Sequence, residues 1–300
     1  KMEEKRMKKI FAVLMAGAIF AASLTACSSG SAETTGETQA ASEANGSGTE
    51  STDAGSGETT KLTVAASPTP HAEILNAAKD LLAEKGIELE VVEYTDYVQP
   101  NLVTDQGDVD ANYFQHVAYL ENFNEEQGTN LVSAGSIHYE PLGIYAGLSD
   151  DLSNIPDGAQ IAVPNDTTNE ARALLLLEAN GVITLRDDAG LTATKMDIED
   201  NPHNVEIIEL EAAQVSRVAS EVDFMVLNGN YALLGGLQVS DALAQETSDS
   251  ETAQTYANVI AVREGDENRE EIKTLVEVLK SDEIKQFIND NFEGAVVPMD

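Results

Sequence analysis

Residues 61–94 read KLTVAASPTPHAEILNAAKDLLAEKGIELEVVEY, and this stretch decides the fold class. KLTVAAS at 61–67 is a short run rich in β-forming residues, and IELEVVEY at 87–94 alternates as a strand does. Between them, residues 71–86 repeat apolar side chains at helical spacing and end at Gly86, a residue type that favours the position after a helix. A strand, a helix and a strand in this order predict a parallel pair joined by a right-handed crossover.

The alternation of strands and helices continues along the chain and predicts an α/β fold. About 240 residues follow position 60, which is large for one core and enough for two lobes of roughly 100–150 residues each. Further strands are predicted at 108–114, 130–138, 142–147, 160–165, 205–210, 223–228 and 256–264, and further helices at 97–106, 115–127, 167–181, 212–220, 267–280 and 282–292. We expect one lobe to comprise 61–140 and 257–300, the other 141–256, and a ligand cleft to lie between them.

The first residues have the layout of a secretory signal. Basic side chains within positions 5–9 precede an apolar run at 10–26 that is too short to span a membrane, so residues 1–26 are predicted to be a signal peptide. The run ends in LTAC at 24–27, which resembles the lipobox of bacterial lipoproteins, and Cys27 is the single cysteine. The resemblance implies that Cys27 becomes the acylated N-terminus and carries palmitate. An incidental cysteine inside an ordinary signal is the alternative.

Composition indicates a flexible tether and argues against nucleic acid as a partner. Beyond Cys27, the segment 27–60 has no aromatic residue, no Leu, Ile or Val and no basic residue, so it cannot bury a core and is predicted to be a flexible acidic tether. The whole chain has 53 acidic against 17 basic residues and a formal net charge of −36. Because nucleic-acid binding relies on Lys and Arg clusters and none lies beyond position 9, we expect no nucleic-acid partner.

Arg172 is the first candidate for a ligand-binding residue. Thr167 and Glu170 fit a capping box with Thr167 as the N-cap, which places Arg172 in the second turn of the helix. A cation there gains nothing from the helix dipole, and its side chain leans back toward the loop after strand 160–165, where a ligand between two lobes would lie. The alternative is a solvated surface arginine that pairs with Glu170 or Asp166.

A cluster of ring side chains is the second candidate. Its members are Tyr94, Tyr97, Tyr113, Phe114, His116, Tyr119 and Phe123. At helical spacing His116, Tyr119 and Phe123 share one face, which is typical of core packing. The alternative is an aromatic box around an apolar or thioether side chain.

Asn228 is the third candidate. GDVDANYF at 107–114 and SEVDFMVLNGNY at 220–231 both lead from Val and Asp into a strand and then to an Asn and an aromatic residue, a weak echo that favours an internal duplication. Ligands of α/β sheets bind at the carboxyl ends of strands, so Asn228 and Asn230, which bracket a glycine after the strand, are placed to offer their amides to a small polar ligand. Plain turn chemistry is the alternative.

The sequence carries no enzyme or metal signature. It has no GxSxG, HExxH or P-loop motif and no thiol other than Cys27. The four histidines, His71, His116, His138 and His203, have no metal-ligand spacing, so we expect no metal and no cofactor. An enzyme on this fold would need a nucleophile or an acid/base pair in the cleft, and His116 is the one candidate.

Six segments together resemble one known family. They are EYTDYVQPN (93–101), GDVDANYFQH (107–116), SIHYEPLGIYA (136–146), IAVPNDTTNEARALLLL (161–177), IIELEAAQVSR (207–217) and VLNGNYAL (226–233). DAN-x-FQH and VPND-x-TN-x-x-R in combination are specific, and the resemblance covers essentially all of residues 61–300. The chain is thus similar to the NlpA family of methionine-binding lipoproteins, the receptors of methionine ABC importers.

This resemblance implies a two-lobed periplasmic-binding-protein fold, type II-like, which holds one amino acid between its lobes. Around the ligand side chain it places Tyr97, Phe114, His116 and Tyr119, and at the polar end it places Arg172, for the carboxylate, and Asn228. It also implies a non-enzymatic monomer, lipid-anchored on the extracytoplasmic face of the bacterial cell membrane, that hands methionine or a close analogue to the permease and ATPase of an ABC importer. HVAYL at 116–120 departs from the family, whose members often carry Pro before the Tyr, and this concerns the pose of Tyr119.

Three alternatives remain at the level of sequence. Another small amino acid, D-methionine, selenomethionine or a Met-containing dipeptide fits a similar aromatic box. An enzyme on the same fold is the second alternative. A surface adhesin whose lobes no longer bind solute is the third, and the presence of Arg172 together with the aromatic set argues against it.

Overall fold

The computed structural model describes residues 59–247 and 254–300, and its strands form two main sheets. The predicted signal peptide, Cys27 and the tether up to residue 58 lie outside the described residues. The strands, numbered in chain order, are β1 (Thr60–Ala66), β2 (Ile87–Glu93), β3 (Ala111–His116), β4 (Leu131–Tyr139), β5 (Gly143–Ala146), β6 (Gln160–Pro164), β7 (Thr184–Leu185), β8 (Ile198–Asp200), β9 (Glu206–Leu210), β10 (Phe224–Leu227), β11 (Ala242–Gln245), β12 (Ala257–Arg263) and β13 (Val297–Pro298).

The first sheet has six strands in the order β13-β4-β12-β3-β1-β2. β1 runs parallel to β2, with Val64 opposite Val91, so the predicted parallel pair at the start of the folded part is confirmed. β3 is parallel to β1 on its other side. β12 comes from the far end of the chain and runs antiparallel between β3 and β4.

The second sheet has five strands in the order β11-β5-β10-β6-β9. β6 is parallel to β9 and β10, and β5 is antiparallel to β10 and β11. The chain leaves the first sheet after β4 and returns to it at β12, so each sheet belongs to one lobe of a two-lobed molecule. The predicted lobe limits at 140/141 and 256/257 stay a prediction.

Helices flank both sheets. They are α1 (Glu73–Ala77), α2 (Lys79–Glu84), α3 (Gln99–Gln106), α4 (Val117–Gln127), α5 (Thr167–Ala179), α6 (Ala212–Val215), α7 (Gly229–Leu234), α8 (Glu270–Leu279) and α9 (Asp282–Phe292). The predicted helix at 71–86 is divided into α1 and α2 at Ala78, whose N–H is shared between the carbonyls of Ile74 and Leu75. Among the described residues, no helix is long and apolar enough to cross a bilayer.

Each sheet has an apolar core of its own. Leu62, Val64 and Ile260 of the first sheet pack with residues of α1, α8 and α9. In the second sheet, Ile144, Ile161 and Phe224 pack against α5. The two apolar cores are separate, and the region between the two sheets is lined by polar and aromatic side chains.

Candidate ligand-binding site

One pocket collects all six ligand-binding residues predicted from the sequence. It encloses roughly 330 Å³ of unfilled space, part of it open to solvent. Its walls are Tyr97, Phe114, Gln115, His116, Tyr119, Glu140, Asn169, Arg172, Asn228, Gly229, Asn230 and Asn258. The first sheet contributes the aromatic residues around β3, and the second sheet contributes the loops after β6 and β10, so the pocket lies between the lobes.

Three aromatic rings form one wall of the pocket. The ring centroid of Tyr97 lies 5.7 Å from that of Phe114 and 5.6 Å from that of Tyr119, distances typical of tilted and edge-to-face ring contacts. The Tyr119 hydroxyl donates to the backbone oxygen of Tyr97 at 3.1 Å. Phe123 packs behind Tyr119, with ring centroids 6.0 Å apart, and is not among the pocket residues. The cluster is thus a small core whose front face lines the pocket, and the aromatic box around a ligand side chain stays a prediction.

His116 is fixed in one neutral form. It is the N-cap of α4, and its Nδ1 accepts the backbone N–H of Tyr119 at 3.0 Å. Its Nε2 lies 3.1 Å from the Oδ1 of Asn169, an acceptor, so Nε2 carries the proton. Burial, helped by the charge of Arg172, lowers the pKa of His116 to about 3. The imidazole is therefore neutral, and its lone pair is used within the protein.

Asn169 joins the pocket to the start of α5. The N-cap of this helix is Asp166, not Thr167 as the capping-box prediction had it, because the Asp166 carboxylate accepts the N–H of Asn169 at 3.0 Å. Asp166 also accepts the side-chain amide of Asn169 at 2.8 Å, which turns the Oδ1 of Asn169 toward His116 and Asn228. Glu170, expected to complete the box, accepts instead from the backbone N–H of Lys195 at 3.0 Å.

Asn228 presents an unused acceptor to the pocket. Its Nδ2 donates to the Oδ1 of Asn169 at 2.7 Å. Its own Oδ1 is buried and has no hydrogen-bond partner in the described structure. A buried acceptor without a donor costs about 1–3 kcal/mol, so this atom is suited to a donor on a ligand.

Arg172 is buried at the pocket, but its partner is one that the sequence did not indicate. Its Nε donates to the Oε1 of Glu246 at 2.8 Å, and its Nη2 donates to Oε2 of Glu246 at 2.5 Å and to the backbone oxygen of Glu140 at 2.9 Å. The guanidinium also lies over the ring of Tyr256, with its Cζ 4.2 Å from the ring centroid. The alternative of a solvated arginine paired with Glu170 or Asp166 is therefore wrong. Nη1 is the guanidinium nitrogen that these three bonds leave unused.

Glu140 is the main pocket residue that the sequence reasoning missed. Its carboxylate accepts from Nε2 of His138 at 2.8 Å and from the backbone N–H of Asn230. Gly229 allows this approach, because a Cβ at that position would lie 2.8 Å from the Oε2 of Glu140. Burial raises the pKa of Glu140, although His71 and Arg172 act in the opposite direction.

The other missed residues are Gln115, Asn169, Gly229 and Asn258. Glu140, Gln115, Asn169 and Gly229 all lie inside the segments that carry the family resemblance, so that resemblance could have indicated them. Asn258 lies on β12 outside those segments, and only the fold brings it to the pocket.

One group of potential metal ligands occurs within the part of the chain that the structure describes. Atoms of His71, His138 and Glu140 lie within 4.8 Å of one another, a proximity that the sequence spacing did not reveal. His138 Nε2 donates to Glu140 at 2.8 Å, whereas His71 Nε2 lies 3.4 Å from the same oxygen and has its hydrogen bond with Asn258. The Nδ1 of His71 is buried and has no hydrogen-bond partner in the described structure, so the group is only partly satisfied by hydrogen bonds.

Comparison with known proteins gives a consistent result. The model of the NlpA lipoprotein family matches residues 62–300. The methionine-binding lipoprotein MetQ of Bacillus subtilis is 41% identical over 244 residues, which are 80% of this chain and 88% of the relative. A nutrient binding protein from Burkholderia cenocepacia, in a structure bound to methionine, is 43% identical with a TM-score of 0.76 and covers 80% of this chain and 100% of its own.

A further crystal structure, of a chain from Ruminococcus gnavus, is 63% identical with a TM-score of 0.79 and covers 80% of this chain and 99% of its own. These similarities confirm the α/β, two-lobed periplasmic-binding-protein fold that the sequence predicted. The family model covers well over half of the chain, and the relatives are aligned over nearly their whole length. This chain therefore belongs to the NlpA lipoprotein family.

Proposed function

We propose that this chain is a solute-binding lipoprotein that captures methionine, or a close analogue, between its two lobes and delivers it to an ABC importer. One observation carries the proposal: the same pocket combines two buried ionisable groups, a guanidinium and a carboxyl, with an aromatic wall. Arg172 and Glu140 suit the carboxylate and the ammonium of a zwitterion, and the rings suit an apolar side chain. The names of the B. subtilis and B. cenocepacia relatives support methionine as that ligand.

The pocket offers a hydrogen-bond donor for the carboxylate of the amino acid and acceptors for its ammonium group. Nη1 of Arg172 is the nitrogen for the ligand carboxylate, since Nε and Nη2 already hold Glu246. The Oδ1 of Asn228 gains a donor when an ammonium enters, and Glu140 supplies the negative charge. A charge-assisted hydrogen bond contributes about 1.5–3 kcal/mol, and about 8 kcal/mol in total corresponds to micromolar affinity, so several such contacts must act together.

The site is built for binding, not for catalysis. The NlpA family comprises solute-binding lipoproteins. His116 was the one side chain expected to serve as a general base in the cleft. Its Nδ1 accepts from Tyr119 and its Nε2 donates to Asn169, so it has no free lone pair for a substrate proton.

Ligand selection tests the proposal. Calorimetry of the purified protein against a panel of amino acids is expected to rank methionine at least about tenfold above leucine and far above glutamate or lysine, because the rings favour an unbranched apolar side chain. Mass spectrometry of any copurifying small molecule identifies the ligand, its D- or L-form being resolved on a chiral column. Equal affinity across the panel would remove the argument from the aromatic wall.

In the same proposal, acylated Cys27 anchors the protein to the outer face of the cell membrane. The flexible tether that follows Cys27 lets the two lobes extend away from the membrane. Cys27→Ser is expected to release the protein into the medium, because the acylated side chain is lost. Ser29→Ala, two residues away, is the matched control and should stay with the membrane fraction. Membrane-bound Cys27→Ser protein in cell fractionation would disprove the anchor.

A further inference from the structure

Behind the pocket, a buried chain of side chains leads from Tyr113 to Glu140. The Tyr113 hydroxyl contacts the Nδ1 of His138, and the Nε2 of His138 lies 2.8 Å from the Oε1 of Glu140. Tyr113 and His138 are completely buried, and Glu140 is 6% exposed. Only Glu140 of these three residues lines the pocket.

The directions of these hydrogen bonds follow from the chemistry of the groups. A carboxylate oxygen only accepts, so the Nε2 of His138 carries the proton and its Nδ1 is the acceptor. The Tyr113 hydroxyl must then donate to Nδ1, and burial keeps that hydroxyl protonated by holding the pKa of Tyr113 well above its usual range. Tyr113 therefore selects the one neutral tautomer of His138 that can donate to Glu140.

A second histidine lies near the same carboxylate oxygen. His71 Nε2 lies 3.0 Å from the Oδ1 of Asn258 and 3.4 Å from the Oε1 of Glu140. Burial lowers the pKa of His71 to about 4 and that of His138 to about 3, so both rings are neutral near pH 7. A neutral donor such as His138 can orient a carboxylate without cancelling its charge, which a cationic partner would do.

We propose that His138, held in its tautomer by Tyr113, is a positioning residue that fixes the Glu140 carboxylate as the acceptor for the ligand's α-ammonium group. The proposal rests on the proposed binding of an amino acid. It explains why polar groups are buried behind a pocket that they do not touch. In this arrangement Tyr113, His138 and Glu140 together select a ligand with a free amino group, and the aromatic wall selects the ligand side chain.

The proposal has a consequence for the pH dependence of binding. The titratable groups facing Glu140 are His71, His138, Arg172, Tyr97 and Tyr113. Burial raises the pKa of Glu140, and an ammonium beside it favours the ionised form, so any proton that Glu140 takes up at low pH must leave when the ligand binds. Affinity is therefore lost as the pH falls through the pKa of Glu140 in the ligand-free protein. Removing the donor from His138 raises that pKa and moves the loss of affinity to higher pH.

Two ligands separate a positioning role from a structural one. The probes are methionine and 4-(methylthio)butanoate, which is methionine without its amino group. In His138→Leu we expect methionine to bind about tenfold to a hundredfold more weakly, because a hydrogen bond to a charged group is lost, whereas the affinity for 4-(methylthio)butanoate stays within about twofold. His138→Gln retains an N–H near the position of Nε2 and should recover most of the methionine affinity.

Calorimetry between pH 5 and pH 8 is the second readout. The wild-type affinity for methionine is expected to fall toward low pH, and His138→Leu should show the fall at higher pH. Tyr113→Phe removes only the hydroxyl and should act in the same direction with a smaller change, which keeps the test open if His138→Leu does not fold.

The outcomes distinguish this inference from the proposed function. Wild-type protein that does not bind methionine contradicts the proposed function. Wild-type binding together with equal losses for both ligands in His138→Leu and Tyr113→Phe overturns only the positioning role of His138. A stoichiometric zinc content in the purified protein, measured by elemental mass spectrometry, would overturn it as well, because a metal would then replace the proton between His138 and Glu140.

Discussion

Arg172 carries a buried positive charge that Glu246 already neutralises. The side chains of the two residues are 4% and 9% exposed, and the guanidinium holds the carboxylate through two parallel hydrogen bonds. Burial alone would raise the pKa of Glu246, but Arg172 and the Tyr139 hydroxyl outweigh this and hold it below its usual range. The residue thus has a structural partner on one side and the pocket on the other.

Arg172→Ala is therefore expected to weaken both methionine binding and folding. The ligand carboxylate loses its partner, at a cost of about 2–5 kcal/mol in binding, and Glu246 is left buried and unpaired, at a cost of about 3–5 kcal/mol in stability. The helix-dipole argument from sequence indicated a ligand as the partner of Arg172, because it could not include Glu246. Calorimetry and thermal unfolding of the same ligand-free protein measure the two effects.

Matched variants make this prediction specific. Arg186 pairs with Asp197 at the surface and is 55% exposed, so Arg186→Ala should change stability by no more than about 1 kcal/mol and leave affinity unchanged. Arg172→Lys should recover only part of both losses, since an ammonium cannot form the planar fork. Wild-type methionine affinity in Arg172→Ala would contradict the ligand contact.

Some residues of the pocket could be predicted from sequence and others could not. Arg172 and the ring residues stood out because their types are unusual for their local positions. Glu140 did not, because acidic residues are common in this chain and its importance comes from burial beside His138 and Gly229. Burial depends on the whole fold, and no local sequence pattern around Glu140 predicted that its side chain is buried.

Helix α5 shows how far local rules reach at the scale of an element. The sequence predicted the approximate extent of the helix and the place of Arg172 in its second turn. Gly181, just beyond the last helical residue, has a φ of +72°, which suits a residue without a side chain. Its N-cap was placed one residue too late. Asp166 and Thr167 are both good N-cap types, so sequence alone could not choose between them, whereas the geometry shows the Asp166 carboxylate at the N–H of Asn169.

The N-cap assignment can be tested by comparing two neighbouring substitutions. Asp166→Ala is expected to lower the free energy of unfolding by about 0.5–2 kcal/mol, because the helix loses its cap and Asn169 loses its carboxylate partner. Thr167→Ala removes only a bond to the exposed Glu126 and should cost a few tenths of a kcal/mol. Denaturant unfolding of both variants gives the comparison, and a larger loss for Thr167→Ala would restore the capping box.

At the scale of the whole molecule, the sequence predicted the two α/β lobes but not the complete sheets. Strands of five to seven residues, such as β1, β2 and β6, are long enough for a β-forming composition or, in β2, an alternation to show. β7 and β13 have two residues each, too few for any period to show. The insertion of β12 between β3 and β4 depends on contacts more than a hundred residues apart in sequence, which local patterns cannot encode.

Hydrogen bonds across the pocket hold the two lobes in the closed arrangement. The Tyr97 hydroxyl, on the side of the first sheet, donates to the Oδ1 of Asn230, which follows β10 of the second sheet, at 2.6 Å. The Tyr231 hydroxyl donates in the opposite direction, to the backbone oxygen of Thr95, at 3.1 Å. Both tyrosines therefore stabilise closure directly, and their rings lie 4.9 Å apart beside the pocket.

Tyr97→Phe separates closure from ligand contact, because it keeps the ring in the aromatic wall and removes only the hydroxyl that reaches Asn230. We expect the affinity for methionine to fall about two- to tenfold through faster dissociation, since the closed state loses one hydrogen bond while the encounter with the open state is unchanged. Stopped-flow fluorescence measures both rates, and small-angle scattering reports the methionine-induced compaction, which should be retained at saturation. Tyr94→Phe, three residues earlier and outside the pocket walls, is the matched control and should behave as wild type. An altered association rate with unchanged dissociation in Tyr97→Phe would show that the bond to Asn230 acts before closure and not in the closed state.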